Sequence, residues 1–324
     1  MKIPVILKLA LCCLLLADAV ALLHALKQRS FTHLLLWNIA ETSSASDLYW
    51  KPEAAPKAFH ADDQGQAREV FSAAAIDTRD FLTTVKSAAA YITSSSCASC
   101  ASGRPEVMEW GSPSGLLRQL KEGRSGNCFH RSILLSGILT ANAIPSRVWD
   151  LDNEDFDAVP HSVVEAYDRG SGKWILLDPM FDFYAKNDGV ALSLLEFREL
   201  LLNGKKENIE LMPLSGKLKT VSLDERYFRL VRKVFLRNGS DFIRLYRERY
   251  GALKVLSPVI DRMPLNARMG CFYLFGGRDF VHYTDRYDGS IRMAAAKARS
   301  LFWGGVLLLI AIPVILITSG KRTA

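Results

Sequence analysis

The chain has 324 residues, of which 49% are hydrophobic and 23% are charged. This composition is enough for one sizeable core with accessory helices or a small second domain, and it excludes a disordered polar chain. The formal net charge is +7. Because no zinc-finger spacing and no RNA-binding aromatic motif accompanies that charge, we expect no nucleic-acid partner.

An apolar segment opens the chain. Lys2 and Lys8 precede the apolar run, and small residues follow it from Ala17 to Ala21. This order is typical of a secretory signal peptide. The alternative is that residues 1–26 are a retained membrane anchor, although Asp18 makes the middle of such a span costly.

Residues 27–104 are predicted to form a helical N-terminal region, with one helix from Ala61 to Ile92. A Ser/Ala/Gly stretch then contains Cys97 and Cys100. Zinc sites generally need a second cysteine pair, and the sequence has none, so we expect no metal. A local disulfide in an exported protein is the favoured interpretation of this pair. An idle thiol pair and a redox site remain the alternatives.

Residues 105–190 contain the most informative pattern. After a short predicted helix at Leu116–Lys121, Asn127 can cap a second helix whose first residue is Cys128. That helix is apolar on most sides, so we expect it to be central. Asn142 can adopt the left-handed conformation that ends it, and Pro145 prevents its continuation.

Strands are predicted at Arg147–Leu151, Ser162–Tyr167 and Lys173–Asp178, the last two joined by a hairpin turn. With Gly170 and Ser171 at the centre of that turn, Asp178 lies opposite Val163. His161 and Asp178 then share one face of the sheet as diagonal neighbours. A slip of one residue would place them on opposite faces.

Cys128, His161 and Asp178 together predict an acyl-transfer site. A helix N-terminus and a nearby imidazolium lower the pKa of a cysteine from ~8.5 to roughly 3.5–7.5, which makes its thiolate available as a nucleophile. We expect Cys128 to attack an acyl carbonyl, His161 to act as base and acid, and Asp178 to orient the imidazole.

Four segments carry a resemblance to a known family. They are Gly126–Cys128 with the following apolar helix, Ile144–Val148, His161–Tyr167 and Trp174–Pro179. Together they resemble the bacterial transglutaminase-like domain, which is related to animal transglutaminases and more distantly to papain. The match covers about 60 residues. It departs from the family at Asn142-Ala143, where a glycine is usual, and at Ser162-Val163, where Ala-Trp is common.

The resemblance implies an α+β, papain-like core in which a central helix carrying the cysteine packs on antiparallel strands. It also implies a Cys-His-Asp triad and a peptide or amide-bearing substrate. Members include proteases, amidases, cross-linking enzymes and inactive scaffolds, so the reaction does not follow from the match.

Several further residues are weaker candidates for the same site. Gly126 would let a substrate approach the backbone closely, and Trp110 is a candidate oxyanion donor with a core tryptophan as the alternative. His130 is an alternative base, although positions i and i+2 of a helix do not face each other. An acidic loop is predicted just before His161. We interpret it as solvated; the alternatives are that it attracts a cationic amine substrate or binds Ca²⁺. Its acidic residues are Asp150, Asp152, Glu154, Asp155 and Asp157.

Residues 191–300 are predicted to be helical or mixed, with helices at Leu192–Leu202 and Asp224–Arg237. The second is basic and amphipathic, so we expect either a solvated outer face or contact with a membrane surface. Leu301–Thr318 is an apolar run long enough to cross a bilayer. Flanking positive charges mildly favour a cytoplasmic domain, whereas the signal-like N-terminus favours export, which we prefer.

The sequence therefore predicts a membrane-attached, cofactor-free cysteine enzyme that forms a thioester at Cys128 for amide or peptide hydrolysis or for acyl transfer to an amine. The alternative is a catalytically inactive scaffold or binding module of the same fold at the membrane. A redox protein that uses Cys97 and Cys100 is the third hypothesis.

Overall fold

The computed structural model describes the chain in separate ranges. These are residues 4–27, 37–39, 76–95, 112–152, 160–215, 225–237, 255–260, 279–284 and 288–320, with the single residues 35, 52, 58, 59, 64, 65, 68 and 262. The chain divides into two compact units. The larger comprises Asn38–Arg247 with Asp279–Arg286, and the smaller comprises Met1–Trp37, Glu248–Arg278 and Tyr287–Ala324.

One sheet of nine short strands organises the described part of the chain. The strands are β1 (Trp37–Ile39), β2 (Ser146–Asp152), β3 (His161–Asp168), β4 (Lys173–Asp178), β5 (Phe183–Asn187), β6 (Val190–Ala191), β7 (Glu210–Pro213), β8 (Lys233–Arg237) and β9 (Asp279–Thr284). Their order is β1-β9-β8-β2-β3-β4-β5-β6, and β7 also pairs with β5. Strand pairing from β9 through β6 is antiparallel.

The helices are α1 (Val5–Lys27), α2 (Phe81–Ser95), α3 (Pro113–Lys121), α4 (Cys128–Ala141), α5 (Leu194–Leu202), α6 (Glu225–Leu230), α7 (Ser257–Ile260) and α8 (Asp288–Gly320). A 3-10 turn spans Lys206–Asn208. The α+β class is therefore confirmed at the level of an antiparallel sheet, helices and a C-terminal apolar helix. The domain boundaries predicted at residues 105 and 190 both fall inside the larger unit.

The predicted β3–β4 register is confirmed. Val164 pairs with Leu177 and Asp168 pairs with Lys173. These pairs place Val163 level with Asp178, as the turn at Gly170 and Ser171 predicts. Although Lys173 and Asp168 are paired in the sheet, Lys173 forms an ion pair with Glu196 at 2.8 Å. The Asp168 carboxylate instead accepts hydrogen bonds from Gly170 and Ser171 in the turn.

Helices cover both faces of the central strands, which explains why every residue of β2 is buried. On one face, side chains of α2, α3 and α4 pack on strand residues that include Val164 and Leu177. On the other face, α5 and α6 pack on strand residues that include Val163 and Leu176. Consecutive strand residues thus enter two different cores, as the pleat requires.

A buried ion pair connects the sheet with α5. The fully buried Glu165 carboxylate accepts hydrogen bonds from Arg147 and from the Trp149 indole, each at 2.6 Å. It also accepts a bond from the backbone N–H of Leu194 at 2.7 Å, in the first turn of α5. The Arg147 guanidinium lies 4.0 Å from the centre of the Trp174 ring. Such a charge pair persists in the interior because several donors satisfy the carboxylate.

The predicted long N-terminal helix is wrong in its extent. Residues 76–80 are not helical, and α2 begins only at Phe81. The Asp80 carboxylate accepts a hydrogen bond from the backbone N–H of Thr83 at 2.8 Å. This bond is typical of a residue that caps a helix start, because it satisfies a donor that the first turn leaves open.

The prediction for the end of α4 is also wrong in detail. Asn142 keeps a negative φ of −93°, and Ala143 is the left-handed residue, with φ 59°. The Ile144 N–H then donates to the Leu139 carbonyl oxygen at 2.9 Å. This bond is the six-to-one link of a Schellman motif, which needs its left-handed residue one position after the cap.

The predicted helix Asp224–Arg237 divides into two elements. It is helical only over Glu225–Leu230, and Lys233–Arg237 form β8 beside β2. Val234 and Leu236 alternate into the core that α5 also covers. The apolar positions of this segment fit a helix and a strand almost equally well, and pairing with β2 decides between them.

The smaller unit contains α1 and α8. Within α8, Met293–Thr318 is long and apolar enough to cross a membrane. The predicted span Leu301–Thr318 lies inside this segment.

Candidate active site

The start of α4 holds Cys128 in place. The Asn127 side chain accepts a hydrogen bond from the His130 N–H at 3.0 Å, and the Asn127 N–H donates to His130 Nδ1 at 3.2 Å. This reciprocal pair is a capping box that fixes the chain entering the helix. Cys128 is therefore the first helical residue, where backbone N–H groups have no acceptor within the helix.

His130 belongs to this cap. The side chain is 1% exposed, and burial lowers the pKa of His130 to about 4. The imidazole is therefore neutral at physiological pH, and its Nδ1 accepts a bond from the cap backbone. This geometry disfavours His130 as the base.

The structure brings His161 and Asp178 together. His161 is the first residue of β3 and Asp178 the last of β4, and their side chains meet with 2.6 Å between Nε2 and Oδ2. His161 is 6% exposed and Asp178 is 0% exposed. Because the register places both on one sheet face, the diagonal pair is within side-chain reach.

Further donors fix the carboxylate. Asp178 Oδ1 accepts the backbone N–H groups of Met180 and Phe181, each at 2.9 Å. Oδ2, which faces His161, also accepts the Tyr227 hydroxyl at 3.1 Å. A carboxylate with this many donors has little rotational freedom, so it presents a fixed oxygen to the imidazole.

Cys128 reaches the same imidazole from α4. Its Sγ lies 3.8 Å from the Pro160 carbonyl oxygen, directly before His161. Burial alone would lower the pKa of His161, but the charge of Asp178 and its hydrogen bond, together with a hydrogen bond to the Cys128 sulfur, raise it to about 10. Since Nε2 is engaged by Asp178, Nδ1 is the ring nitrogen left for the thiol. At neutral pH the imidazole is therefore protonated on both ring nitrogens and positively charged.

Aromatic rings enclose the imidazole. The Phe181 ring centre lies 5.0 Å from that of His161, and Tyr227 stands edge-on to it at 5.7 Å. Burial and the Asp178 charge raise the pKa of Tyr227 well above its usual value, so the hydroxyl remains a donor at all accessible pH. Sequence patterns missed Tyr227, because they placed it in a longer basic helix 49 residues from Asp178.

Of the remaining predicted site residues, the structure describes only Gly126. Gly126 is half-buried, two residues before Cys128. Trp110, Cys97 and Cys100 lie outside the described residues, so their predicted roles are untested. Among described side chains, no group of histidine, cysteine and carboxylate residues could hold a metal ion.

The predicted acidic loop is wrong for its first two members. Asp150 and Asp152 lie in β2 and are 4% and 1% exposed. Asp150 accepts a hydrogen bond from the Ser162 hydroxyl, and Asp152 stands beside Lys233 in the sheet register. Glu154, Asp155 and Asp157 lie outside the described residues.

Comparisons with protein-family models, curated proteins and solved structures find no match. The function must therefore be argued from the geometry of this site and from the sequence resemblance.

Proposed function

We propose that this chain is a membrane-attached, transglutaminase-like cysteine enzyme with a papain-like core, and that it forms a thioester at Cys128 on a peptide or amide substrate. The observation that carries the proposal is the connected set Cys128, His161 and Asp178, in which a helix-start thiol meets a protonated imidazole held by a buried carboxylate. The Gly-Asn-Cys, His and Asp segments that resemble the family supply the same three residues.

The first half-reaction forms the thioester. The Cys128 thiolate attacks the carbonyl carbon of an amide, and the carbonyl electron pair moves onto oxygen. The N–H of Cys128, open at the helix start, is positioned to donate to this oxyanion, and such a donor contributes about 2.7–4 kcal/mol in acyl-transfer enzymes. When the carbonyl re-forms, the C–N bond breaks and the leaving amine takes the proton of His161.

The second half-reaction releases the acyl group. Water or an amine attacks the thioester, His161 accepts the proton of the nucleophile, and the Cys128 thiolate is expelled. Water gives hydrolysis and an amine gives transamidation. Asp178 keeps Nε2 engaged through both half-reactions, so that the other ring nitrogen stays directed to the reacting atoms.

The proposal includes a location. The apolar segment Met293–Thr318 would attach the chain to a membrane, and the signal-like N-terminus would place the catalytic domain on the extracytoplasmic side. A large domain can be translocated regardless of its charge. No organic cofactor is needed for this chemistry.

Selective alkylation tests the mechanism. The purified full chain, in detergent micelles, would be treated with iodoacetamide near pH 6, and the modified cysteines located by mass spectrometry. The same chain unfolded in urea serves as the reference, because there Cys128 reacts as an ordinary thiol. Ordinary thiols are almost entirely protonated at this pH, since their pKa is about 8.5. We expect Cys128 to react at least ten-fold faster in the folded chain than in the unfolded chain.

A His161→Gln variant completes the test. Because the thiolate depends on the imidazolium, we expect this variant to lose the selective labelling of Cys128 while it remains folded. Equal labelling of Cys128 in the folded and in the unfolded wild-type chain would instead favour the inactive scaffold. Activity that survives Cys128→Ala but is lost on replacement of Cys97 and Cys100 would favour the redox hypothesis.

A further inference from the structure

The buried positions of α8 follow a regular pattern. They are spaced alternately by three and four residues along the helix, at Ala295, Ala298, Phe302, Gly305, Leu309, Ile312 and Leu316, where Leu309 and Leu316 are half-buried. Spacing of this kind is the seam of two helices packed with a small crossing angle.

The half-buried positions of α1 show the same pattern. They recur at Lys8, Leu11, Leu15, Asp18, Leu22 and Ala25, and Ala19 next to Asp18 is also half-buried. Leu22 packs with Phe302 and Val306 of α8 in one apolar cluster. The two seams therefore face each other.

Asp18 meets α8 at a glycine. A Cβ atom added at Gly305 would lie 3.4 Å from Asp18 Oδ1 and 3.7 Å from the Leu22 methyl groups. Asp18 Oδ2 is buried, and no described atom hydrogen-bonds to it. The carboxyl group that makes a lipid-facing span costly thus lies in the helix seam, where intramembrane ionisable residues are normally found. Gly304, by contrast, has open space around it.

The outer surfaces of both helices are apolar. Exposed fractions reach 68% at Leu16 and 59% at Val20 in α1, and 63% at Leu307 and 59% at Ile310 in α8. A helix whose outer face is apolar along its length suits a membrane interior. At 1.5 Å per residue the 23 residues of α1 extend ~34 Å, enough for a hydrocarbon core of ~30 Å.

We infer that α1 is retained in the mature protein as a second transmembrane helix and pairs with α8 through the Asp18–Gly305 contact. The partner of α1 is thus the C-terminal span of its own chain, and both tails lie on the same side of the membrane. With the domain outside, Lys2 and Lys8 share the cytoplasmic side with Lys321 and Arg322. This inference is independent of the chemistry at Cys128.

The intact mass of the wild-type chain tests retention. The full chain would be extracted from membranes with detergent and its mass and N-terminal residue determined. We expect a chain that still contains α1. A chain that begins after residue 20 would overturn the inference, because α1 would then have been removed as a leader.

Cross-linking tests the pairing. In a full chain whose native cysteines are replaced by alanine, Leu22→Cys combined with Val306→Cys should react with a short bismaleimide in membranes. Val20→Cys with Val306→Cys is the matched control, because Val20 is on the outer face of α1. We expect several-fold more intramolecular product from the seam pair, and equal yields would overturn the inference.

Two glycine substitutions probe the contact without cysteine changes. A Cβ at Gly305 would already touch Asp18 and Leu22, so the larger side chain of Gly305→Leu competes with them for space, whereas Gly304→Leu has room for its side chain. In micelles we expect Gly305→Leu to lower the melting temperature of the full chain by several degrees and Gly304→Leu to leave it within about one degree. The same shift in both variants would argue against the seam.

Discussion

At the residue scale, the site depends on how firmly one carboxylate is held. Asp178 accepts two backbone N–H groups at Oδ1, and at Oδ2 it meets both His161 and the Tyr227 hydroxyl. The backbone bonds come from the turn after β4 and the hydroxyl from α6. The imidazole orientation therefore depends on an element that lies far away in sequence.

Tyr227→Phe removes the hydroxyl and keeps the ring. Hydrogen bonds to charged groups contribute about 1.5–3 kcal/mol, so we expect the alkylation rate of Cys128 near pH 6 to fall roughly ten-fold or more. Tyr167→Phe is the control, because Tyr167 lies at the far end of the β3–β4 hairpin beside Trp174. An unchanged rate in a folded Tyr227→Phe variant would show that the hydroxyl does not position the triad.

The raised pKa of His161 predicts a pH-dependent contribution to stability. Its folded pKa of about 10 lies above the ordinary value of 6.5, so the stabilisation is fully present below pH 6.5 and is lost as the pH rises towards 10. We expect urea denaturation in micelles to show a wild-type advantage over His161→Gln that declines by a few kcal/mol (roughly) across this window. An advantage that is constant from pH 6.5 to 10 would contradict this prediction.

The three triad residues were predictable because each carries a local signal. Asn127 marks the helix start before Cys128, and the hairpin turn fixes which strand residues face each other. Tyr227 has no such signal, since its contact with Asp178 depends on where α6 packs. Local chemistry and register are encoded in short segments, whereas a packing partner from a distant element is not.

At the element scale, the end of α4 carries a local strain. Ala143 adopts φ 59°, a region that disfavours residues with a Cβ atom by roughly 1–2 kcal/mol. The left-handed conformation of Ala143 is needed because it turns the chain so that the Ile144 N–H can donate to the Leu139 carbonyl oxygen before β2 begins.

Ala143→Gly should therefore raise the free energy of unfolding by about 1 kcal/mol, since glycine adopts positive φ without steric cost. Ala141→Gly, in the last turn of the same helix, should lower it by roughly 0.5–1 kcal/mol, because there glycine only adds backbone entropy to the unfolded state. Urea denaturation of both variants measures the difference. Changes of the same sign would contradict the assignment of the strain to Ala143.

The elements themselves were unequally predictable. β4 was predicted with its exact ends, because a turn and a proline bound it on either side. The segment that contains α6 and β8 was predicted as one helix, since Leu230, Val234 and nearby apolar residues satisfy both periods. Only the pairing of β8 with β2 and β9 resolves the ambiguity.

At the scale of the whole molecule, sequence predicted the class and the two apolar ends but not the extent of the sheet. Strands β5, β6, β7 and β9 were not predicted, because they are short and are stabilised by strand pairing that the sequence does not indicate, such as that of β5 with β7. The covering of both sheet faces likewise follows from packing and not from any single segment.

Membrane attachment can be measured on the whole chain. We expect the full chain to stay in the membrane pellet after washing with alkaline carbonate and to be released by detergent, because an apolar helix of this length partitions into lipid. A variant that ends at residue 300 should also remain in the pellet if α1 is retained. Release of the full chain by carbonate would contradict membrane insertion.

The layers that cover the sheet also produce a gradient of accessibility across the site. Cys128 is half-buried, His161 is 6% exposed and Asp178 is fully enclosed. A small molecule from solution therefore reaches the sulfur before it can reach the imidazole. An inhibitor for this protein is best designed as a compact sulfur electrophile, because reagents directed at histidine would find their target shielded by Phe181 and Tyr227.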